Sequence, residues 1–234
     1  MHIGSRLETI GSMVPKGSVL ADIGTDHAYL PVWLVERGQI ERAIAGDIAA
    51  GPCQAARSTV ALHGLEEKVE VRMGSGLAVL APGEADCIAI AGMGASTMIS
   101  ILEADMEVAE IAKLLVLQPM AGAASLRAWL ISHGWQLVDE ELVDDAPHFY
   151  EIISARRGAS PAYSAAELAI GPVLLEKKHP LLAKQFARQL ATANQLLAGM
   201  EKSERARASV KYQELLALKT SLEVLQNGET GNSK

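Results

Sequence analysis

Cysteine is nearly absent: Cys53 and Cys87 are the only two in 234 residues. They fall in separate segments, which argues against a disulfide framework and against a cysteine zinc site. The six histidines show no HxxxH or HxH spacing, so no metal is expected. Hydrophobic residues make up 49% of the chain. Yet no run of about eighteen uninterrupted apolar residues occurs, as a membrane span requires. The opening MHIGSRLETI carries Arg6 and Glu8 where a signal peptide is apolar. A cytoplasmic protein with no membrane partner is the expectation. Aromatics amount to only 4%, so stacking surfaces are few. The GxGxxG of a pyrophosphate binder is missing too.

Charge is unevenly spread. The net is −7, which at first excludes a broad nucleic-acid surface. Residues 1–158, however, hold 11 Lys+Arg against 21 Asp+Glu, and residues 159–234 hold 10 against 7. Any RNA-binding surface must therefore be a local patch, and the tail is the more basic part.

Up to about residue 157 short apolar runs alternate with helical stretches. Strands are expected at Ser18–Ile23, Arg42–Asp47, Val69–Met73, Asp86–Ala91 and Lys113–Gln118. Helices are expected at Ala28–Arg37, Pro52–Leu62, from Gly94 to Leu102, and near Ser125–His133. This alternation predicts an α/β fold: a doubly wound parallel sheet with helices on both faces. Trp135–Val143 and Phe149–Ala155 are two strand-like runs with no helix between them, so they should pair antiparallel. A parallel sheet finished this way is the pattern of class I methyltransferases. Trp33 and Trp129 fall on helical faces and read as core. His63 and His133 sit late in helices and read as capping or surface residues.

Residues 158–163 read as a linker. Beyond it, Leu182, Phe186, Leu190, Ala193, Leu197 and Met200 form one apolar stripe. Ala208, Lys211, Leu215, Leu218, Leu222 and Leu225 form another, with Lys211 the one polar break. Both have heptad-like steps, so residues 158–226 are expected to form a helical coiled-coil hairpin. Pro172 and Pro180 suit first turns of helices. Residues 227–234 are expected to be disordered. Monomer and homodimer are both left open.

The chemistry concentrates at Asp22-Ile23-Gly24-Thr25-Asp26-His27. This segment ends the first strand and opens a helix, where a doubly wound fold binds nucleotides. Gly24 allows a sharp turn and close approach of a ligand. An acidic loop repels phosphate but suits a ligand with cationic parts. The alternative is a tight turn in which Asp26 caps the helix. Asp47, followed by Ile48, ends the second strand about twenty residues later, where an acid can bind ribose hydroxyls. Its alternative is an N-cap. Ribose plus cationic groups, without a phosphate loop, points to S-adenosylmethionine rather than NAD. Gly74-Ser75-Gly76 then lies at the adenine, and Ala91-Gly92-Met93-Gly94 beside the reacting methyl. Gln118 and Pro119 give a further rim position, and Tyr150 opens the last strand.

Together these segments resemble the bacterial TrmK family of tRNA (adenine(22)-N1)-methyltransferases. The resemblance is carried by Ser5-Arg6-Leu7, ADIGTDHAYLP from Ala21 to Pro31, Ala45-Gly46-Asp47-Ile48 and Gly51-Pro52. It continues through AIAGMG from Ala89 to Gly94, Leu117-Gln118-Pro119, Arg127-Ala128-Trp129-Leu130 and Tyr150-Glu151. It implies a helical appendage, tRNA as partner, and methyl transfer to N1 of an adenine. Asp22, Gly24, Thr25, Asp26, His27, Asp47, Ile48, Gly74, Ser75, Ala91, Gly92 and Met93 would then hold the cofactor. Asp26, Tyr29, Met93 and Tyr150 would surround the reacting atoms. Arg6, Gln118, Pro119, Arg188, Arg205 and Arg207 would bind the RNA. The family's Gly-Asp-Gly is Gly74-Ser75-Gly76 here, its Gln-Pro-Asn ends in Met120, and its second glycine after Met-Gly is Ala95. Two alternatives stand beside this reading: a methyltransferase for another substrate, and a non-catalytic RNA-binding module with a decayed cofactor pocket.

Overall fold

The computed structural model describes residues 1–231 and divides into two compact units, Met1–Ser160 and the segment from Pro161 on. In the first unit α1 (Gly4–Met13) leads into β1 (Leu20–Ile23), α2 (Tyr29–Glu36), β2 (Ala43–Asp47), α3 (Ala50–Leu62) and β3 (Val69–Met73). A 3-10 turn (Gly76–Val79) precedes β4 (Cys87–Gly94), α4 (Ala95–Ala104), α5 (Met106–Ile111), β5 (Leu114–Ala121) and α6 (Ala123–Ser132). The antiparallel pair β6 (Trp135–Asp145) and β7 (His148–Arg157) follows.

All seven strands join one sheet in the order β3-β2-β1-β4-β5-β7-β6. The first five are parallel, and β7 inserts antiparallel between β5 and β6. The expected antiparallel finish is present, but the insertion of β7 depends on pairing across the sheet that local pattern does not encode. α1, α2 and α3 pack in succession, while α4 packs on α6. The central strands are buried on both sides: Leu20, Ala21, Ile88, Ile90, Leu115, Leu117, Ile152 and Ile153 are closed to solvent. That explains their near-continuous apolar runs.

Several expectations shift. α1 is an additional helix, with Ile10 and Gly11 buried. β4 runs past Ala91 to Gly94 because register shifts at Ala91, Met93 and Gly94 let the chain bulge and stay paired with β5. Trp129 is not core. It is partly exposed, donates to Glu103 at 2.9 Å and stacks on His133. Trp33 is buried as expected, and His63 and His133 close the C-terminal ends of α3 and α6. Cys53 and Cys87 are buried free thiols.

The second unit holds α7 (Ala165–Ile170), α8 (Pro172–Glu176), α9 (Leu182–Met200), α10 (Glu204–Arg207) and α11 (Val210–Gly231). Ser164 and Glu167 form a reciprocal capping box at α7. Pro172 opens α8 as expected, whereas Pro180 falls in the turn before α9. α9 and α11 pack on one another and α7 packs on both. Phe186, Ala193, Leu197 and Leu222 are buried there. The unit begins three residues later than the expected linker, since Ser160 Oγ still accepts from the Leu137 amide at 3.4 Å. α11 also runs through residues 227–231, which were expected to be disordered. A helix already nucleated gains one hydrogen bond per added residue. Residues 232–234 of that expected tail lie outside the described residues. Among the described residues, no helix is long and apolar enough to cross a membrane.

Candidate active site

The carboxyl ends of β1, β2, β4 and β5 converge where the strand order reverses. Two cavities open there and meet at Gly24. One, of about 360 Å³, is lined by Arg6, Asp22, Thr25, Asp26, Tyr29 and Gly92, among others. The second, of about 230 Å³, is lined by Asp47, Ile48, Ser75, Gly76 and Met93, among others. The larger cavity therefore joins the β1 turn, α1 and the β4 bulge. The smaller joins the turns after β2 and β3.

The β1 turn is conformationally special. Gly24, Asp26 and Ala28 all have left-handed φ values of 77°, 52° and 54°. For alanine this costs about 1–2 kcal/mol, and strain of this kind collects at ligand sites. The turn is held by the Gly24 and Thr25 amides, which both donate to the Gly46 carbonyl at 2.8 and 3.1 Å. The N-cap of α2 is Ala28, with no side-chain cap. Asp26 therefore does not cap the helix, and its side chain is 70% exposed beside His27 at 3.6 Å. His27 in turn stacks on Tyr29, with centroids 5.0 Å apart.

Asp22 is buried and accepts from Thr25 Oγ1 at 2.6 Å. Burial pushes its carboxyl up to about 6; the Thr25 hydrogen bond and Arg6 pull it down, and Asp47 raises it. A buried carboxylate with one hydroxyl partner is poised for a cation. Asp47 Oδ1 accepts from the Ala49 amide at 2.8 Å. It thus shapes the entry to α3, although the N-cap itself is Ala49. Ile48 stands 71% exposed at the rim. Gly74 donates its amide to the Asp47 carbonyl at 2.9 Å, which brings the exposed Ser75 beside Asp47.

On the β4–β5 side, Gln118 is wholly buried. Its Oε1 accepts from Arg6 Nη1 at 2.7 Å and from the Gly92 amide at 3.2 Å. Its Nε2 reaches only the Met120 sulfur, at 3.6 Å. The Arg6 guanidinium stands 5.4 Å from the centroid of the Tyr150 ring. Arg6 is expected as an RNA anchor beside the cofactor domain. α1 carries it into the lining of the larger cavity. Pro119 pairs with Met93 at the β4 bulge. Below them, Arg127 is closed to solvent and donates to Glu140 and Glu151. This buried ion cluster fixes α6 to β6 and β7, immediately next to Tyr150.

The structure thus brings together Arg6, Asp22, Gly24, Thr25, Asp26, His27, Tyr29, Ala91 and Gly92 in one cavity. Asp47, Ile48, Gly74, Ser75 and Met93 share the other. Arg188 on α9 and Arg205 and Arg207 on α10 lie in the second unit. The linings also include Leu7, Leu30, Thr97 and Ile101, which the sequence reading did not assign to the site because isolated residues of these types carry no motif signal.

Carboxylates at successive strand ends and a glycine turn at the switch point are the frame of a methyltransferase domain. Residues 3–153 match the methyltransferase domain family. The tRNA (adenine(22)-N(1))-methyltransferase of Bacillus subtilis is 34% identical over 97% of this chain and 96% of its own. The crystal structure of the B. subtilis m1A22 tRNA methyltransferase TrmK superposes with a TM-score of 0.86. It is 32% identical and covers 96% of this chain and 98% of that one. A Streptococcus pneumoniae protein assigned as a tRNA (m1A22) methyltransferase, solved with S-adenosyl-L-methionine, gives a TM-score of 0.84 at 35% identity, over 96% and 99% of the chains. The chain belongs to the tRNA (adenine(22)-N1)-methyltransferase family, on a Rossmann-like fold.

Proposed function

We propose that this chain transfers a methyl group from S-adenosyl-L-methionine to N1 of adenine 22 in tRNA. The observation that carries this reading is the pair of cavities meeting at Gly24, with Asp22 in one and Asp47 in the other, in a chain of this family. The donor set fits the cofactor. Asp22 and Asp26 suit its cationic amino-acid portion, and the Asp47 carboxylate in the smaller cavity suits ribose hydroxyls. The absent Cβ of Gly24 leaves room for a bridge between the cavities. Gly74 and Ser75 would flank the adenine of the cofactor. Ala91, Gly92 and Met93 would lie beside the reacting carbon.

When bound, S-adenosyl-L-methionine supplies a methyl group on a sulfonium, which is electrophilic. Adenine N1 carries an in-plane lone pair when neutral, so no base need act before attack. The residues must place N1 in line and exclude water. The base must be exposed from the folded RNA and held by stacking. Tyr29 and Tyr150 are the aromatic rings of the larger cavity and its edge. The methylated base is cationic, and the Asp26 carboxylate would favour that developing charge.

The RNA surface is assigned to the second unit, with Arg188, Arg205 and Arg207 as contacts and the +3 excess of the tail as support. The test of the whole reading is nucleoside mass spectrometry of tRNA transcripts treated with the full chain and cofactor. N1-methyladenosine should form, and a transcript with guanosine at position 22 should not be modified. No methylation, or methylation indifferent to position 22, would overturn the reading.

A further inference from the structure

Arg6 is the only lysine or arginine lining the larger cavity among the described residues. Its surroundings are unlike those of a phosphate anchor. The guanidinium is partly buried, Nη1 is committed to Gln118 at 2.7 Å, and its centre stands over the Tyr150 ring. We propose that Arg6 is a positioning residue, holding the Gln118 amide and the Tyr150 ring in place behind the wall of the larger cavity. The proposal rests on the assignment of this cavity to methyl transfer.

The geometry gives the reason. Gln118 Oε1 faces two donors, Arg6 Nη1 and the Gly92 amide. With both donors aimed at one atom, the amide can be oriented only one way, its Nε2 turned away toward Met120. The Arg6 bond is the charge-assisted one and the shorter. Without it, Oε1 keeps only the 3.2 Å bond from the Gly92 amide, and the side chain is less firmly oriented. The same guanidinium holds the Tyr150 ring by a cation–π contact. Gln118 comes from β5 and Tyr150 from β7, adjacent strands, and Arg6 reaches both from α1. Arg6 also acts electrostatically on Asp22. One side chain in the cavity lining thus holds groups from two adjacent strands.

The experiment uses the full chain with R6Q and R6K, tRNA transcript and saturating cofactor. In R6Q, kcat should fall by about tenfold or more, as misplacing a reacting group does. The KM for tRNA should stay within about twofold. Its salt dependence should match wild type, whereas one lost phosphate contact lowers the slope by about 0.9. Calorimetry should show S-adenosyl-L-methionine binding retained. R6K should not restore kcat, because an ammonium lacks the planar fork. The Q118L loss should not add to that of R6Q, since both break one contact. Wild-type kcat in R6Q or R6K overturns the proposal, and so do additive losses. A raised KM with a shallower salt slope makes Arg6 a phosphate contact instead. If R6Q fails to bind cofactor or to fold, R6K and Q118L decide by the same criteria. Failure of the wild-type chain to methylate tRNA would strike the functional reading itself and is seen separately.

Discussion

A β-carbon on residue 24 would stand 2.1 Å from the Cε of Met93, so Gly24 and Met93 face each other across the junction of the two cavities. Met93 is flexible and can give way, but the φ of 77° at Gly24 cannot be avoided. Gly24→Ala is therefore expected to cost about 1–2 kcal/mol of stability from backbone strain and to abolish measurable cofactor binding. Met93→Ala added to it should relieve the contact yet leave the backbone cost. Thermal melts and calorimetry of both variants check this, and full recovery in the double variant would show that crowding alone mattered.

Asp22 makes cofactor binding pH-dependent. Its carboxyl lies at about 6 because burial disfavours the charge. Above that pH the group is ionised and attracts the cofactor's cations. Below it a proton must first leave, so affinity should fall by up to tenfold per pH unit. Stability of the cofactor-free protein follows the opposite sense. A raised carboxyl pKa favours folding below about 4 and costs up to about 3 kcal/mol once pH has risen past about 6. Asp22→Asn should then stabilise the free protein at pH 8, weaken cofactor binding, and flatten its pH dependence. A variant no more stable than wild type at pH 8 would refute the buried-charge account.

Asp47→Ala is expected to weaken cofactor binding by about 1–3 kcal/mol, the cost of leaving buried hydroxyls unpaired. Because Oδ1 also holds the Ala49 amide, Asp47→Asn is the cleaner control. It keeps the turn and should lose less. Equal affinity in wild type and Asp47→Ala would remove this residue from the site.

Arg127→Met should destabilise the domain by about 3–5 kcal/mol, since Glu140 and Glu151 would be left buried without their cation. The matched triple replacement by apolar residues should recover most of that loss. Chemical denaturation of the single and triple variants is the measurement. A neutral single variant would mean that water enters and pays the two carboxylates.

Removal of the chain after Ser160 should leave S-adenosyl-L-methionine affinity intact while tRNA affinity and its salt dependence both fall. The cavities are lined wholly by the first unit, and the tail carries the cationic excess. Filter binding at several salt concentrations distinguishes this from a structural tail, which would leave the slope unchanged.

The sequence by itself determined the parallel core, the antiparallel finish and the acidic glycine turn. Each is written in a few consecutive residues: apolar runs for β1, β2, β4 and β5, and Asp22 to His27 for the turn. Asp47 was legible because a strand end and a fixed spacing locate it. Tertiary structure alone decided where Arg6 goes, since its cation meets Gln118, 112 residues away. It alone decided that β7 separates β5 from β6, because strand pairing is settled by competition among backbone partners across the sheet. The Arg127 cluster likewise joins residues up to 24 apart, and only burial turns three ordinary surface residue types into a buried triad. Local pattern sets which elements form and which turns are strained. Long-range packing sets which side chains share a cavity, because that depends on distances no single segment encodes.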